Sequence, residues 1–149
     1  DDRVVLPVEY PCRDVDRGED VADIHVREDP PELLEAGEPP NFGPPLHIHH
    51  GIAEAFYVIE GEYIIFIRDD EFRCPAGSFV FIPAETPHGF RVGDVASRKL
   101  NLYLPASMVG YFDDLSDAMK NGEADPERLS AIATRHAVEV IGPVPEGYL

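Results

Sequence analysis

The sequence predicts an all-β domain, an antiparallel sandwich or barrel, closed by a pair of C-terminal α-helices. Three observations lead to this expectation. Apolar runs of four to seven residues alternate with turn signals between residues 46 and 92. The 15 prolines and 12 glycines among 149 residues break up long helices through most of the chain. Only beyond Pro105 does the apolar spacing change from a strand period to a helical one.

In chain order, residues 1–20 are charged and irregular, with an edge strand expected at Val4 to Leu6, and residues 21–26 alternate as a strand does. Residues 29–45 hold six prolines, which preset φ and remove amide donors, so this segment is expected to be an extended connector over the surface or the barrel rim. Turn signals at Gly51, Gly61, Asp69-Asp70 and Pro75-Ala76-Gly77 then delimit strands at 46–50, 54–60, 62–68, 71–73, 78–82 and 88–92. Another strand at 97–104 places Leu100, Leu102 and Leu104 on one face and Lys99, Asn101 and Tyr103 on the other.

Met108, Tyr111, Phe112, Leu115 and Met119 recur at helical spacing until Asn121-Gly122 stops the helix. Asp125-Pro126 supplies an N-cap and a first-turn proline for a second helix, whose apolar face carries Leu129, Ile132, Ala133 and His136. A short strand is expected before Gly142-Pro143. The whole is read as one domain, 1–149: N-terminal strands and connector in 1–45, barrel core in 46–104 and helical extension in 105–149.

Composition excludes some partners. Twelve Lys and Arg against 29 Asp and Glu give a formal net charge of −17, and no run of basic residues interrupts it. Such a surface repels phosphates, so neither nucleic acid nor an anionic membrane is an expected partner. Cys12 and Cys74 form no disulfide framework or C-x-x-C pair, and neither an 18-residue apolar stretch nor a leader pattern is present, so a cytoplasmic setting is expected.

The chemistry concentrates in the histidines. On a strand, His47 and His49 point to one face with Cα atoms about 6.6 Å apart, close enough for two imidazoles to share an ion at about 2.0–2.2 Å. His50 has the opposite parity and is expected at the rim. Glu54 has the wrong parity for a straight strand, but a turn or bulge at Gly51 resets the register and folds it back beside the histidines. His88 completes the set from a distant strand. Three neutral imidazoles and a carboxylate suit one divalent transition metal ion: iron, nickel, manganese, cobalt or zinc. His25 is expected on the surface of a strand, His136 on the face of a helix, and Cys74 as a small buried side chain.

These residues resemble the two motifs of the cupin family. His47-x-His49, four residues, Glu54, six residues and Gly61 match the first; Gly77, five residues, Pro83 and then His88 match the second. Three turn or strand-end positions depart from the family pattern: Asn41 and Glu85 stand where glycine is usual, and Val92 where asparagine is usual. The resemblance implies a double-stranded β-helix, or jelly-roll barrel, with a metal held by His47, His49, Glu54 and His88. It also implies a small-molecule substrate and a homodimer formed through sheet edges and exchanged N-terminal strands, with 21–26 as the interface.

Tyr57, Ile59, Tyr63, Ile65, Phe66, Phe72, Phe79 and Phe81 are expected in the core. Strand parity puts Phe56 and Val58 on the inner face with Glu54, and Phe90 with His88. Asn101 and Tyr103 are further substrate-binding candidates, and Met108, Tyr111 and Phe112 could close the barrel mouth. Glu54 is expected either to hold the metal or to act as the catalytic base, with burial raising its pKa. The small cupin with a helical extension is similar to quercetinase-type dioxygenases, which implies oxidation or cleavage of an aromatic enol or phenol with dioxygen. A non-oxidative cyclase or isomerase acting on a polyketide or sugar-like substrate is the alternative, and a non-catalytic binding module the third reading.

Overall fold

A computed structural model describes residues 31–143 as nine strands and two helices. The expected strands at Val4 to Leu6 and 21–26, with His25, Cys12 and the suggested dimer segment, lie outside the described residues. Seven strands follow the sequence expectation closely: β2 (Leu46–His49), β3 (Ala53–Glu60), β4 (Glu62–Ile67), β5 (Asp70–Pro75), β6 (Phe79–Ile82), β7 (His88–Val92) and β8 (Ser97–Leu104). Helices α1 (Val109–Lys120) and α2 (Pro126–Arg135) come next, and β9 (Val138–Gly142) ends the described chain.

The expected proline-rich connector needs correction, because Glu32–Glu38 forms a strand, β1, paired antiparallel with β8 along all its length. Its prolines bound the strand rather than interrupt it. Pro30-Pro31 and Pro39-Pro40 flank a proline-free stretch that keeps every amide needed for the ladder. Alternation then turns Glu32, Leu34, Ala36 and Glu38 inward and Leu33, Glu35 and Gly37 outward.

Two antiparallel sheets result, ordered β1-β8-β3-β6 and β5-β4-β7-β2-β9. The barrel thus recruits strands from both sides of 46–104. One core cluster, with Phe56, Val58, Tyr63, Ile65, Val80, Ile82, Phe90 and Val92, fills one end between the sheets. The other, with Ile52, Tyr103, Met108, Ala133 and Val138, joins the sheets to the helices. Each fully buried side chain of this size contributes roughly 1.5–3 kcal/mol.

Two of the expected core aromatics lie elsewhere: Tyr57 and Phe79 are 43% and 60% exposed on the outer face of the four-stranded sheet. Their strand parity is opposite to that of Phe56 and Val80, which take the inner positions. Met119 is likewise exposed, and Ala118 makes the buried contact of α1. Cys74 is buried, and burial pushes its thiol up to about 11, in keeping with an inert packing role.

Helix ends follow local chemistry. Asp125 caps α2 by accepting from the Arg128 amide at 2.9 Å, and His136 sits at the C-cap of that helix, bonded to Asp114 Oδ2 at 2.6 Å. Met108 cannot cap α1 through its own side chain. Glu32 of β1 does so instead, its Oε2 accepting from the Met108 and Val109 amides at 2.7 and 3.0 Å.

The departures from the family's glycine positions have a backbone explanation. Asn41 (φ 60°) and Glu85 (φ 63°) both adopt the left-handed conformation that glycine would take without strain. Glu85 offsets that strain with its carboxylate, which accepts from the Gly51 amide at 2.7 Å and bonds His50 Nδ1 at 2.6 Å. At Gly61 (φ 74°) no such compromise is open, since a Cβ there would stand 2.1 Å from Ser97 Oγ.

Candidate metal centre

Strand parity and cross-strand register bring four side chains from three strands to one point between the sheets. His47 and His49 share the inner face of β2, His88 of β7 lies directly opposite His47, and Glu54 of β3 reaches across from the other sheet. Gly51 (φ 74°) supplies the turn that returns the chain for Glu54. The ligand-type atoms of His47, His49, Glu54 and His88 all lie within 4.8 Å of one another. The imidazole centroids are 4.5–5.3 Å apart.

Two of the rings are oriented by backbone carbonyls. His47 Nδ1 donates to Pro45 O at 2.8 Å and His88 Nδ1 to Thr86 O at 2.7 Å, which leaves Nε2 of each ring as the ligating nitrogen. His88 Nε2 then faces Glu54 Oε2 at 2.9 Å, and His49 Nε2 faces the same oxygen at 3.2 Å. A neutral His88 with its proton on Nδ1 would set a lone pair against a carboxylate oxygen. Such an arrangement calls for a cation or a shared proton between the two groups, so this donor set fits a divalent metal.

Electrostatics agree with that fit. Burial, with His88 alongside, lowers the His47 pKa to about 4, which keeps the ring neutral as a ligand must be. For Glu54 the sequence expectation is overturned. Burial does oppose its ionisation, but in the metal-free chain protons shared with the facing His49 and His88 nitrogens, in the place a cation would take, prevail and hold the carboxyl below the usual range. Tyr103 behaves in the opposite sense: burial and the adjacent Glu54 carboxylate push its phenol well up, so it remains a protonated donor beside the cluster.

His47, His49 and Glu54 form part of the wall of a cavity of about 440 Å³, a size suited to a small organic ligand, and His88 is buried beside them. Of the sequence candidates, Phe56, Phe90, Asn101, Tyr103, Met108, Tyr111 and Phe112 line it. Val58 does not; it is fully buried in the core beneath. His50 lies on the rim as expected, bonded to Glu85 and, at 2.8 Å, to Glu139 of β9.

Sequence reasoning missed the contribution of β1 and its loop, which add Leu34, Ala36, Glu38 and Phe42 to the wall, and it missed Lys99. A signal for Lys99 was present. It shares strand parity with Asn101 and Tyr103, and it is one of only two lysines in the chain.

Residues 35–98 match the family model described as cupin domain. The matched residues run from β1 to β8, the pair that closes one side of the cavity. Over 71 residues it is 27% identical to quercetin 2,3-dioxygenase of Bacillus subtilis (strain 168), a likeness covering 48% of this chain and 21% of that protein. Among solved structures, the DMSP lyase DddQ from Ruegeria pomeroyi DSS-3 is 25% identical at a TM-score of 0.47, over 50% of this chain and 38% of that one. KdgF from Halomonas sp. is 19% identical at a TM-score of 0.49, over 52% and 70% of the two chains. Among the described residues no helix is long and apolar enough to cross a membrane.

Proposed function

We propose that this protein is a metal-dependent cupin dioxygenase that oxidises or cleaves an aromatic enol or phenol of the flavonol kind. The observation that carries the proposal is the convergence of His47, His49, Glu54 and His88 within 4.8 Å, with the first three on the wall of an aromatic-lined cavity. The distant likeness to quercetin 2,3-dioxygenase supports the choice of reaction. One iron, nickel, manganese, cobalt or zinc ion would be held there as a Lewis acid toward a phenolate or enolate, and a redox-active one would bring dioxygen into play.

The chain's own residues then have separate tasks. His47 and His88 present Nε2 because their Nδ1 protons are committed to carbonyls. Glu54, its carboxyl held below the usual range by the facing imidazoles, serves as the anionic ligand. Phe56, Phe90 and Phe112 flank a flat substrate and exclude water, and Tyr103 offers its hydroxyl proton beside the metal end. Elemental analysis of the purified protein, followed by oxygen-electrode assays with flavonols, catechols and enediols, tests this reading. Stoichiometric metal with no oxygen uptake on any of them would sink it.

A polar strip along β8 favours a second reading. Lys99, Asn101 and Tyr103 suit an oxygen-rich polyketide or sugar-like substrate cyclised or isomerised without redox chemistry. Turnover under argon would select that reading, and tight binding without turnover would select a binding module. We also propose a homodimer, supported by the exposed Leu33, Tyr57 and Phe79 on the outer face of the four-stranded sheet. A monomer in light scattering would refute it.

A further inference from the structure

The wall of the cavity formed by β1 and β8 holds a second polar group, separate from the histidine cluster. Lys99 is 1% exposed, and its ammonium is paired with Glu38 of the edge strand, which also accepts the Tyr63 hydroxyl proton. The same ammonium stands 4.0 Å from the Phe90 ring centroid and 4.8 Å from that of Tyr63. Two residues along β8, Asn101 is 5% exposed and lines the cavity, and its Oδ1 is buried with no hydrogen-bond partner.

An ion pair this deeply buried stabilises a fold no better than well-packed apolar residues would, and an orphaned amide oxygen is unfavourable. The two defects are complementary. Lys99 has three N–H donors, of which Glu38 takes one, while the others face the rings of Phe90, Tyr63 and Phe56 at 4.0, 4.8 and 5.5 Å, and a ring face is a weaker acceptor than a ligand oxygen. Asn101 Oδ1 needs a donor. A hydroxyl group is both donor and acceptor, so it has the chemistry that each of these two groups calls for.

We propose that Lys99 and Asn101 form a specificity pole that recognises a hydroxyl group on the substrate, distal to the oxygens presented at the histidine cluster. This deepens the proposed function and rests on it for the orientation of the ligand. Asn101 is two residues from Tyr103, about 7 Å along the strand, and Tyr103 lies against His49 and Glu54, so the pole and the cluster occupy successive stretches of the inward face of β8. A carboxylate is disfavoured at this pole because it brings no proton for Asn101 and meets the negative charge of Glu38.

Two measurements test the proposal. The first needs no ligand: Asn101→Leu is expected to raise the Tm of the protein, because it removes an unsatisfied polar atom and leaves the Lys99–Glu38 pair in place. A lowered Tm would mean that Asn101 is satisfied structurally, and the pole would be rejected whatever the substrate. The second uses the zinc-loaded protein, titrated by fluorescence with 3-hydroxyflavone, its 7-hydroxy and 4′-hydroxy derivatives and the 4′-carboxy derivative. One hydroxylated compound is expected to bind about tenfold more tightly than 3-hydroxyflavone, and Lys99→Met and Asn101→Leu are each expected to erase that ratio at unchanged metal content. A ratio that survives both substitutions, or tightest binding by the carboxylate, overturns the proposal. If no flavone binds to metal-replete protein while Asn101→Leu raises the Tm, the flavonol reading fails and the pole stands.

Discussion

The two polar groups in the cavity are built by opposite routes. The histidine cluster draws three of its four residues from an eight-residue stretch of β2 and β3, with one neighbour from β7, and its spacing follows strand geometry. The Lys99–Glu38 pair joins residues 61 positions apart, and each belongs to an unremarkable local sequence. The first group is short of a cation and the second holds one. A ligand lying between them would meet a metal-ready anion at one end and a buried ammonium at the other, so the cavity is polarised along β8.

The largest effect should come from breaking the first group alone. His49→Ala or His88→Ala is expected to abolish stoichiometric metal and all activity, whereas Lys99→Met should leave metal content intact. Elemental analysis of the three variants side by side checks this separation. Retained metal in either histidine variant would mean that the cluster is not the metal site.

Glu54→Gln should act less completely. The amide keeps an oxygen but not the charge, so metal is held more weakly, as a chelator titration would read. Turnover is expected to fall on the order of 100-fold, equivalent to about 2.7 kcal/mol of barrier. Unchanged turnover would remove Glu54 from the mechanism.

A third prediction concerns protons in place of metal. In metal-free protein the His47 pKa is lowered from 6.5 to about 4, so the unfolded chain binds a proton that the folded chain refuses. The associated stability is present above pH 6.5 and is lost as pH falls toward 4. At about 1.4 kcal/mol per pKa unit the loss is about 3 kcal/mol. Thermal melts across this range should show it, and His47→Gln should flatten the profile.

The smallest effect belongs at the rim. Glu85 and Glu139 raise the pKa of the exposed His50, so its pairing stabilises the fold below the unfolded value near 6.5 and fades as pH rises through the folded value. His50→Gln should lower the Tm slightly at pH 6 and hardly at all at pH 9. An equal loss at both would assign His50 a purely steric role.

What was legible in the sequence follows from the range of the interactions. His47, His49, Glu54 and His88 could be assigned because strand parity and one glycine turn determine where they point, and those are local properties. Strand β1 is masked by the proline content of 29–45, because the prolines frame a seven-residue strand and do not interrupt it. With β1 went Glu38, and without Glu38 a buried Lys99 had no visible partner. The direction of the Glu54 shift escaped for another reason. It is the balance of burial against contact with two imidazoles, and their distances of 2.9 and 3.2 Å exist only in the folded chain. Tyr57 and Phe79 show the limit of composition, since a large aromatic side chain goes where its parity sends it.

The bond from Glu32 to the start of α1 has a consequence for motion. The edge strand and the helix that overhangs the cavity are fastened by one carboxylate accepting two amides. Fraying of β1 from β8 would therefore also release the first turn of α1. Hydrogen exchange of the β1 amides and of Met108 and Val109 should rise and fall as one cooperative unit, and Glu32→Gln should uncouple them. Access to the cavity would then be governed by an opening event at the sheet edge.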